Sequence, residues 1–196
     1  MDRIDTEGWV SLPGIKHVAS PNFNTRATHT GISQTPEVSL LVVHNISLPP
    51  GEFGTGYPAK LFLNELDFDA HPWLDQIRGL KVSAHFLIER NGDVTQFVSC
   101  NDRAWHAGVS SFDNRQSCND FSIGIELEGT DDLPYTDIQY QQLGELTLAL
   151  KAQYPLEHVR GHCHVAPDRK TDPGAAFDWA RYATLGNWQT SQLPSS

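Results

Sequence analysis

Apolar residues are spaced along this chain in several distinct ways, and each spacing predicts an element. Val38-Ser39-Leu40-Leu41-Val42-Val43-His44 is a short, mostly apolar, β-branched run among turn formers, the pattern of a strand buried on both faces. It ends on a histidine. Residues 82–89 and 94–98 run apolar or alternate on either side of Asn91-Gly92, which predicts a hairpin. In 122–128, Ile123, Ile125 and Leu127 alternate with Gly124, Glu126 and Glu128, so one strand face packs while the other presents carboxylates. Leu143, Leu146, Leu150 and Tyr154 recur at helical spacing, preceded by Thr136 and Gln139 as a capping box and followed by Pro155, and that stretch is predicted to be a helix.

The remaining segments are less regular. Residues 1–36 mix Pro, Gly, Ser, Thr and Asn without sustained periodicity and read as an irregular arm lying over the domain. Pro49-Pro50-Gly51 and the glycines up to Gly56 open a long connection, inside which 58–66 could form a helix that begins at proline. A further strand is expected over 158–164, then a polar loop over 166–174, a short helix over 177–185, and a flexible, frayed tail over 187–196. Strands mixed with helices, one hairpin among them, indicate an α/β fold, a single domain over 37–186 with a central mixed β-sheet flanked by helices. A length of 196 residues suits one such domain.

Composition narrows the function. At 39% apolar and 19% charged residues the chain should fold. Fourteen basic residues against 24 acidic give a net charge of −10, which repels nucleic-acid phosphates and anionic membrane surfaces. Neither nucleic acid nor membrane is therefore an expected partner, and any basic function must be local. The opening MDRIDTEGWVSLPG has no apolar secretory region, and no segment approaches the roughly 18 apolar residues of a membrane span. Cys100, Cys118 and Cys163 form an odd set without CxxC spacing, against a disulfide framework or a cysteine-rich zinc site. A cytoplasmic location is the expectation.

Nine histidines raise the question of a metal. His44 closes a predicted buried strand, His85 and His106 lie mid-chain, and His162-Cys163-His164 is a cluster. A catalytic zinc takes three N, S or O ligands on rigid elements and keeps a fourth position open. If 158–164 is extended, His162 and His164 share one face and Cys163 takes the other, so spacing alone does not choose among them. Asp172 follows in a loop shaped by Pro173-Gly174 and would complete a set of one carboxylate and two imidazoles. Periodicity likewise leaves Glu126 and Glu128 equivalent, since both project to one strand face.

The segments SLLVVHNISLPPGEF, VSAHFLIERNGDVTQFV, RAWHAGVSSF, CNDFSIGIELEGTDD and GHCHVAPDRKTDPGAAFDWAR resemble, in order over about residues 36–182, the AmpD group of N-acetylmuramoyl-L-alanine amidases. That group sits in the wider type-2 amidase and peptidoglycan-recognition family. The resemblance implies that family's fold and one Zn2+ held by His44, His162 and Asp172, against His164; many relatives place a cysteine where Asp172 stands. It implies Glu126, rather than Glu128, as the carboxylate that activates water, and Lys170 as the lysine near the scissile carbonyl. Arg169 resembles the basic residue offered to the peptide stem's carboxylates. Lys81 stands where relatives often have arginine, and its ammonium lacks the guanidinium fork. Asn45, Trp105 and Ala107 match positions lining the muropeptide groove, with core packing as the other reading of Trp105. His85 and His106 then play structural or supporting parts.

The implied activity is hydrolysis of the amide joining the lactyl group of 1,6-anhydro-N-acetylmuramic acid to L-alanine, on small soluble muropeptides during cell-wall recycling. Two other readings compete. One is a non-catalytic peptidoglycan-recognition module, although such modules typically lack the third zinc ligand. The other is an autolysin or phage-type amidase acting on polymeric wall.

Overall fold

The computed structural model describes residues 3–26 and 37–195. In chain order the strands are β1 (Ile15–His17), β2 (Phe23–Thr25), β3 (Leu40–Ile46), β4 (Phe86–Ile88), β5 (Val94–Gln96), β6 (Asp102–Ala104), β7 (Ser111–Phe112), β8 (Arg115–Gln116), β9 (Ser122–Glu128) and β10 (His158–Gly161). The α-helices are α1 (Tyr57–Phe62), α2 (Asp137–Gln153), α3 (His162–Val165) and α4 (Trp179–Leu185). Six strands form one sheet in the order β1-β5-β4-β9-β3-β10. It is mixed: β4 and β5 pair antiparallel, and the other neighbours run parallel.

The centre of the sheet follows from its side chains. Leu41 and Val43 of β3 and Ile123, Ile125 and Leu127 of β9 point to one face, where Leu143, Leu146 and Leu150 of α2 and Tyr182 of α4 cover them. Leu40 and Val42 point to the other face and pack with Ala107, Cys118, Phe121 and Val165. Both faces of β3 are therefore buried, as its unbroken apolar run requires. The second face, away from α2, also carries His44, Gly124 and Glu126, because alternate residues of a strand share a side. α2 begins with the expected capping box: Thr136 Oγ1 accepts from Gln139 N at 3.2 Å, and Gln139 Oε1 accepts from Thr136 N at 3.1 Å.

Several boundaries differ from expectation, each for a local reason. The hairpin strands shrink to β4 and β5 because residues 89–93 form the turn, with Gly92 in the left-handed region at φ 88° and Gly92 N bonded to Glu89 O at 2.9 Å. α1 stops at Phe62, since Asn64 adopts φ 59° and turns the chain out of the helix. The predicted strand over 158–164 is extended only to Gly161; His162 starts the short helix α3, so His162 and His164 do not lie on a common strand face. The arm is not merely a wrapper. β1 adds an edge strand beside β5, β2 pairs with β6, and Ile4 and Val10 enter the core. Three-residue strands are too short to imprint a period of two on the sequence. Residues 27–36, also read as arm, lie outside the described residues.

The predicted tail also packs. Trp188 is 5% exposed within the main core, and the Lys151 ammonium lies 4.0 Å from its ring centroid while bonding Asn187 O at 2.5 Å. A lone tryptophan in a polar stretch gives no periodic signal, yet an indole buries a large apolar area wherever the chain ends against a helix. Trp188→Ala is expected to lower unfolding stability by about 3 kcal/mol, the usual cost of emptying a buried aromatic site. Urea denaturation measures it, and an unchanged midpoint would show that the segment after α4 contributes nothing.

Candidate metal centre

His44, His162 and Asp172 meet in space although they are far apart in sequence. His44 Nδ1 lies 3.0 Å from His162 Nδ1, and each is 3.1 Å from Asp172 Oδ2. An ion about 2 Å from each atom spans such a triangle and leaves a further position open on one side. Two imidazoles and a carboxylate are the donor types that hold zinc and similar divalent metals. The residues present therefore fit a metal.

The sequence folds so as to bring these three together. β3 delivers His44, and β10 delivers His162 one residue past its end. Gly161 matters here because a Cβ at that position would lie 2.6 Å from Pro173 Cδ; its absence lets the Asp172 loop close on α3, where Cys163 N donates to Asp172 O at 2.9 Å. Gly174, at φ 80°, brings the same loop against Asp131, whose carbonyl accepts from Ala176 N. Behind the ligands, His44 Nε2 lies 2.9 Å from His106 Nδ1, and His162 Nε2 lies 3.0 Å from the Ala107 carbonyl. Such outer contacts fix the orientation of a ligating ring.

Electrostatics favour metal-ready forms. Burial, reinforced by the neighbouring His162, holds the His44 imidazole down to about 4, so it is neutral at pH 7. Burial by itself would raise the Asp172 carboxyl, but the adjacent His162 and His44 rings outweigh it and keep the group well below the usual carboxylate range. A neutral ring and an ionised carboxylate are the ligating states.

Glu126 stands beside His44, its register partner across the β3–β9 pairing. Partly exposed as a residue, it has one oxygen, Oε2, out of solvent and without a hydrogen-bond partner. Burial first, and the negative Asp172 second, push its carboxyl well above the ordinary range, with Lys170 pulling the other way. Glu128, on the same strand face, is different: it is 2% exposed and accepts from Gly54 N at 2.6 Å and Arg90 N at 3.1 Å. Its oxygens are committed to holding loops, so the expected row of presented carboxylates reduces to Glu126.

An open cleft of about 530 Å³ reaches the trio at Asp172 and is lined by Asn45, Ser47, Asp131, Arg169, Lys170 and Asp172 among others. Its size suits a small-molecule site. Lys170 is half-buried there, and its charge reaches both His44 and Glu126. Asn45 donates to Asp131 Oδ1 at 2.8 Å, and Arg169 Nη2 donates to the Ala107 and Val109 carbonyls at 2.7 and 2.9 Å. Three residues expected at the groove are not among the residues lining this cleft. Ala107 is fully buried, and its methyl packs in the core cluster around Leu40 and Val42, so what it offers is its carbonyl. Trp105 is half-buried and donates from Nε1 to Asn24 Oδ1 at 2.8 Å, toward the arm. Lys81 is exposed before β4 and does not line the cleft. Asp131 was not foreseen; the acidic pair after β9 was the available signal.

Comparison with known proteins follows the same lines. The family model for N-acetylmuramoyl-L-alanine amidase matches residues 33–175. The 1,6-anhydro-N-acetylmuramyl-L-alanine amidase AmpD of Escherichia coli K12 is 54% identical over 187 residues, spanning 94% of this chain and 98% of that one. The crystal structure of a selenomethionine AmpD derivative, also 54% identical, superposes with a TM-score of 0.84, covering 93% of this chain and 98% of that one. The amidase AmiD of E. coli, in complex with anhydro-N-acetylmuramic acid-L-Ala-D-γ-Glu-L-Lys, matches at 30% identity with a TM-score of 0.56, over 81% of this chain and 61% of that one.

The raised Glu126 carboxyl has a consequence for stability. Its folded pKa lies above the ordinary value of 4.5, so the folded chain holds this proton more tightly than the unfolded chain. Stability is then complete below about pH 4.5 and declines as pH rises through the folded pKa. Glutamine carries no such cost. Metal-free Glu126→Gln is expected to resist urea better than the metal-free parent at pH 8, with the gap closing toward pH 4; a gap independent of pH would contradict the assignment.

Proposed function

The chain belongs to the N-acetylmuramoyl-L-alanine amidase family, and from that premise we propose that it is a one-zinc hydrolase acting on small muropeptides in cell-wall recycling. The bond cleaved is the amide between the lactyl group of a 1,6-anhydro-N-acetylmuramic acid and L-alanine. One observation carries the metal part of this reading: the triangle of 3.0–3.1 Å between His44, His162 and Asp172, with Asp172 in the lining of the cleft. The names of the relatives and the anhydro-muropeptide bound to AmiD support the substrate class.

His44, His162 and Asp172 would hold the ion. When bound, zinc supplies a water whose pKa falls from about 15.7 toward ~7, and a Lewis acid for the carbonyl oxygen. Glu126, level with His44 in the sheet and with its Oε2 buried and unpaired, takes the proton of the attacking water and returns it to the departing alanine nitrogen. A base needs a pKa raised toward working pH, and burial provides it. Lys170 offsets negative charge that grows on the carbonyl oxygen, a gain larger in the transition state than in the neutral ground state. Arg169 and Asn45, held by their own hydrogen bonds, are the substrate contacts in this reading. Ala107 enters this reading through its carbonyl, and Lys81 and Trp105, outside the cleft lining, are its more distant substrate contacts.

Two features bear on the setting. The cysteines are unpaired, which supports a reducing, cytoplasmic compartment. Among the described residues no helix is long and apolar enough to cross a membrane.

Removing a ligand and removing the base should separate cleanly. His44→Ala and Asp172→Asn are expected to lose most bound zinc by elemental analysis; either variant keeping full zinc would remove that residue from the ligand set. Glu126→Gln should keep its zinc while turnover falls by about 10²–10⁴-fold, and undiminished turnover would discard Glu126 as base. Mass spectrometry should find free peptide beginning with L-alanine released from soluble anhydro-muropeptide, and little from intact sacculi. Equal rates on both would move the assignment to a wall-degrading amidase.

A further inference from the structure

The two imidazoles of the metal trio are both fixed from behind by one dipeptide, His106-Ala107. On the first side, the Ala107 carbonyl lies 3.0 Å from His162 Nε2. A carbonyl only accepts, and Arg169 Nη2, 3.4 Å from the same Nε2, spends its two hydrogens on the Ala107 and Val109 carbonyls, so the ring hydrogen of His162 sits on Nε2 and its Nδ1 faces the site as a bare lone pair. On the second side a relay of three contacts runs from the Cys118 carbonyl through Ser122 and His106 to His44. Ser122 Oγ donates its hydrogen to the Cys118 carbonyl at 2.6 Å. The hydroxyl must then accept from His106 Nε2, 3.2 Å away. His106 Nδ1 is left as an acceptor for the Nε2 hydrogen of His44 at 2.9 Å. His44 Nδ1 thereby also faces the site as a lone pair.

His85 stacks edge-on against His106, with the buried Arg26 guanidinium behind His85. The dipeptide itself is clamped. Asn119 Oδ1 accepts from both His106 N and Ala107 N, at 3.2 and 2.7 Å, and Asn119 is 4% exposed. The ring of His106 fits only because residue 124 is glycine: a Cβ there would lie 2.4 Å from His106 Cγ.

We propose that His106 is a positioning residue which, with the Ala107 carbonyl and the Ser122–Cys118 relay, sets the tautomers of both imidazole ligands so that the trio presents three lone pairs to one cation. This rests on the metal reading above. It assigns His106, Ser122 and Asn119 work on the metal rather than in packing alone.

The experiment measures zinc affinity of the full chain by competition with a chromophoric chelator, for the parent, His106→Leu, His106→Asn and Ser122→Ala. Leucine fills the space without accepting a hydrogen bond, and zinc binding is expected to weaken about 10- to 100-fold. Asparagine can place Oδ1 near the position of Nδ1, and it should recover most of that loss, which a packing role would not produce. Ser122→Ala, a smaller change that should leave folding intact, is expected to weaken binding several-fold. Unchanged affinity in Ser122→Ala together with equal affinities in the leucine and asparagine variants overturns this inference alone. A parent chain that takes up no zinc overturns the metal reading and this inference together.

Discussion

Three lone-pair-bearing atoms, His44 Nδ1, His162 Nδ1 and Asp172 Oδ2, are held within 3.1 Å of one another, and their mutual repulsion is relieved by positive charge placed among them. The rest of the molecule maintains that crowding. The parallel register of β3 and β9 puts His44 level with Glu126; a slip of one residue would turn Glu126 to the α2 side and dismantle the site. The break from β10 into α3 turns His162 inward, and the backbone bond from Cys163 to Asp172 draws in the third ligand. Each contact is modest alone. Together they pre-order a geometry that the unfolded chain would find at large entropic cost.

Glu126 and Glu128 show how one strand face yields two chemistries. They are two residues apart, yet Glu128 is satisfied by two backbone N–H groups and serves as a loop anchor. Glu126 keeps an unpaired, buried oxygen. Leaving such an oxygen unsatisfied costs stability, and proteins tolerate this where reactivity needs it. The environment, rather than the residue type, divides the roles.

Much of this was legible in the sequence. The apolar run ending in His44, the alternation of 122–128 and the Thr136–Gln139 cap each carry a period or a cap spanning enough residues to be read, and the structure realises all three. The motif resemblance reached His162 and Asp172, which spacing alone left open against His164. What stayed hidden has a common physical character. β1 and β2 are held by backbone pairing in segments too short for a pattern, and Trp188 by one large side chain. Ala107 acts through a carbonyl that every residue possesses, and Gly124 and Gly161 act through a missing Cβ. Groups without side-chain chemistry leave no mark that composition or periodicity can detect.

The charge balance makes the same point about locality. A net charge of −10 should discourage a carboxylate-bearing ligand at long range, yet at physiological salt fields between exposed charges fade within about 8 Å. The cleft lining nonetheless contains two adjacent cations, Arg169 and Lys170, alongside Asp131, Asp132 and Asp172. Arg169 is held there because its Nη2 bonds the Ala107 and Val109 carbonyls, so little freedom remains to be lost when a ligand arrives. The Ala107 carbonyl also accepts from His162. One backbone oxygen therefore fixes both a candidate metal ligand and one of the two cations of the cleft, and a displacement of either is transmitted to the other through that shared atom.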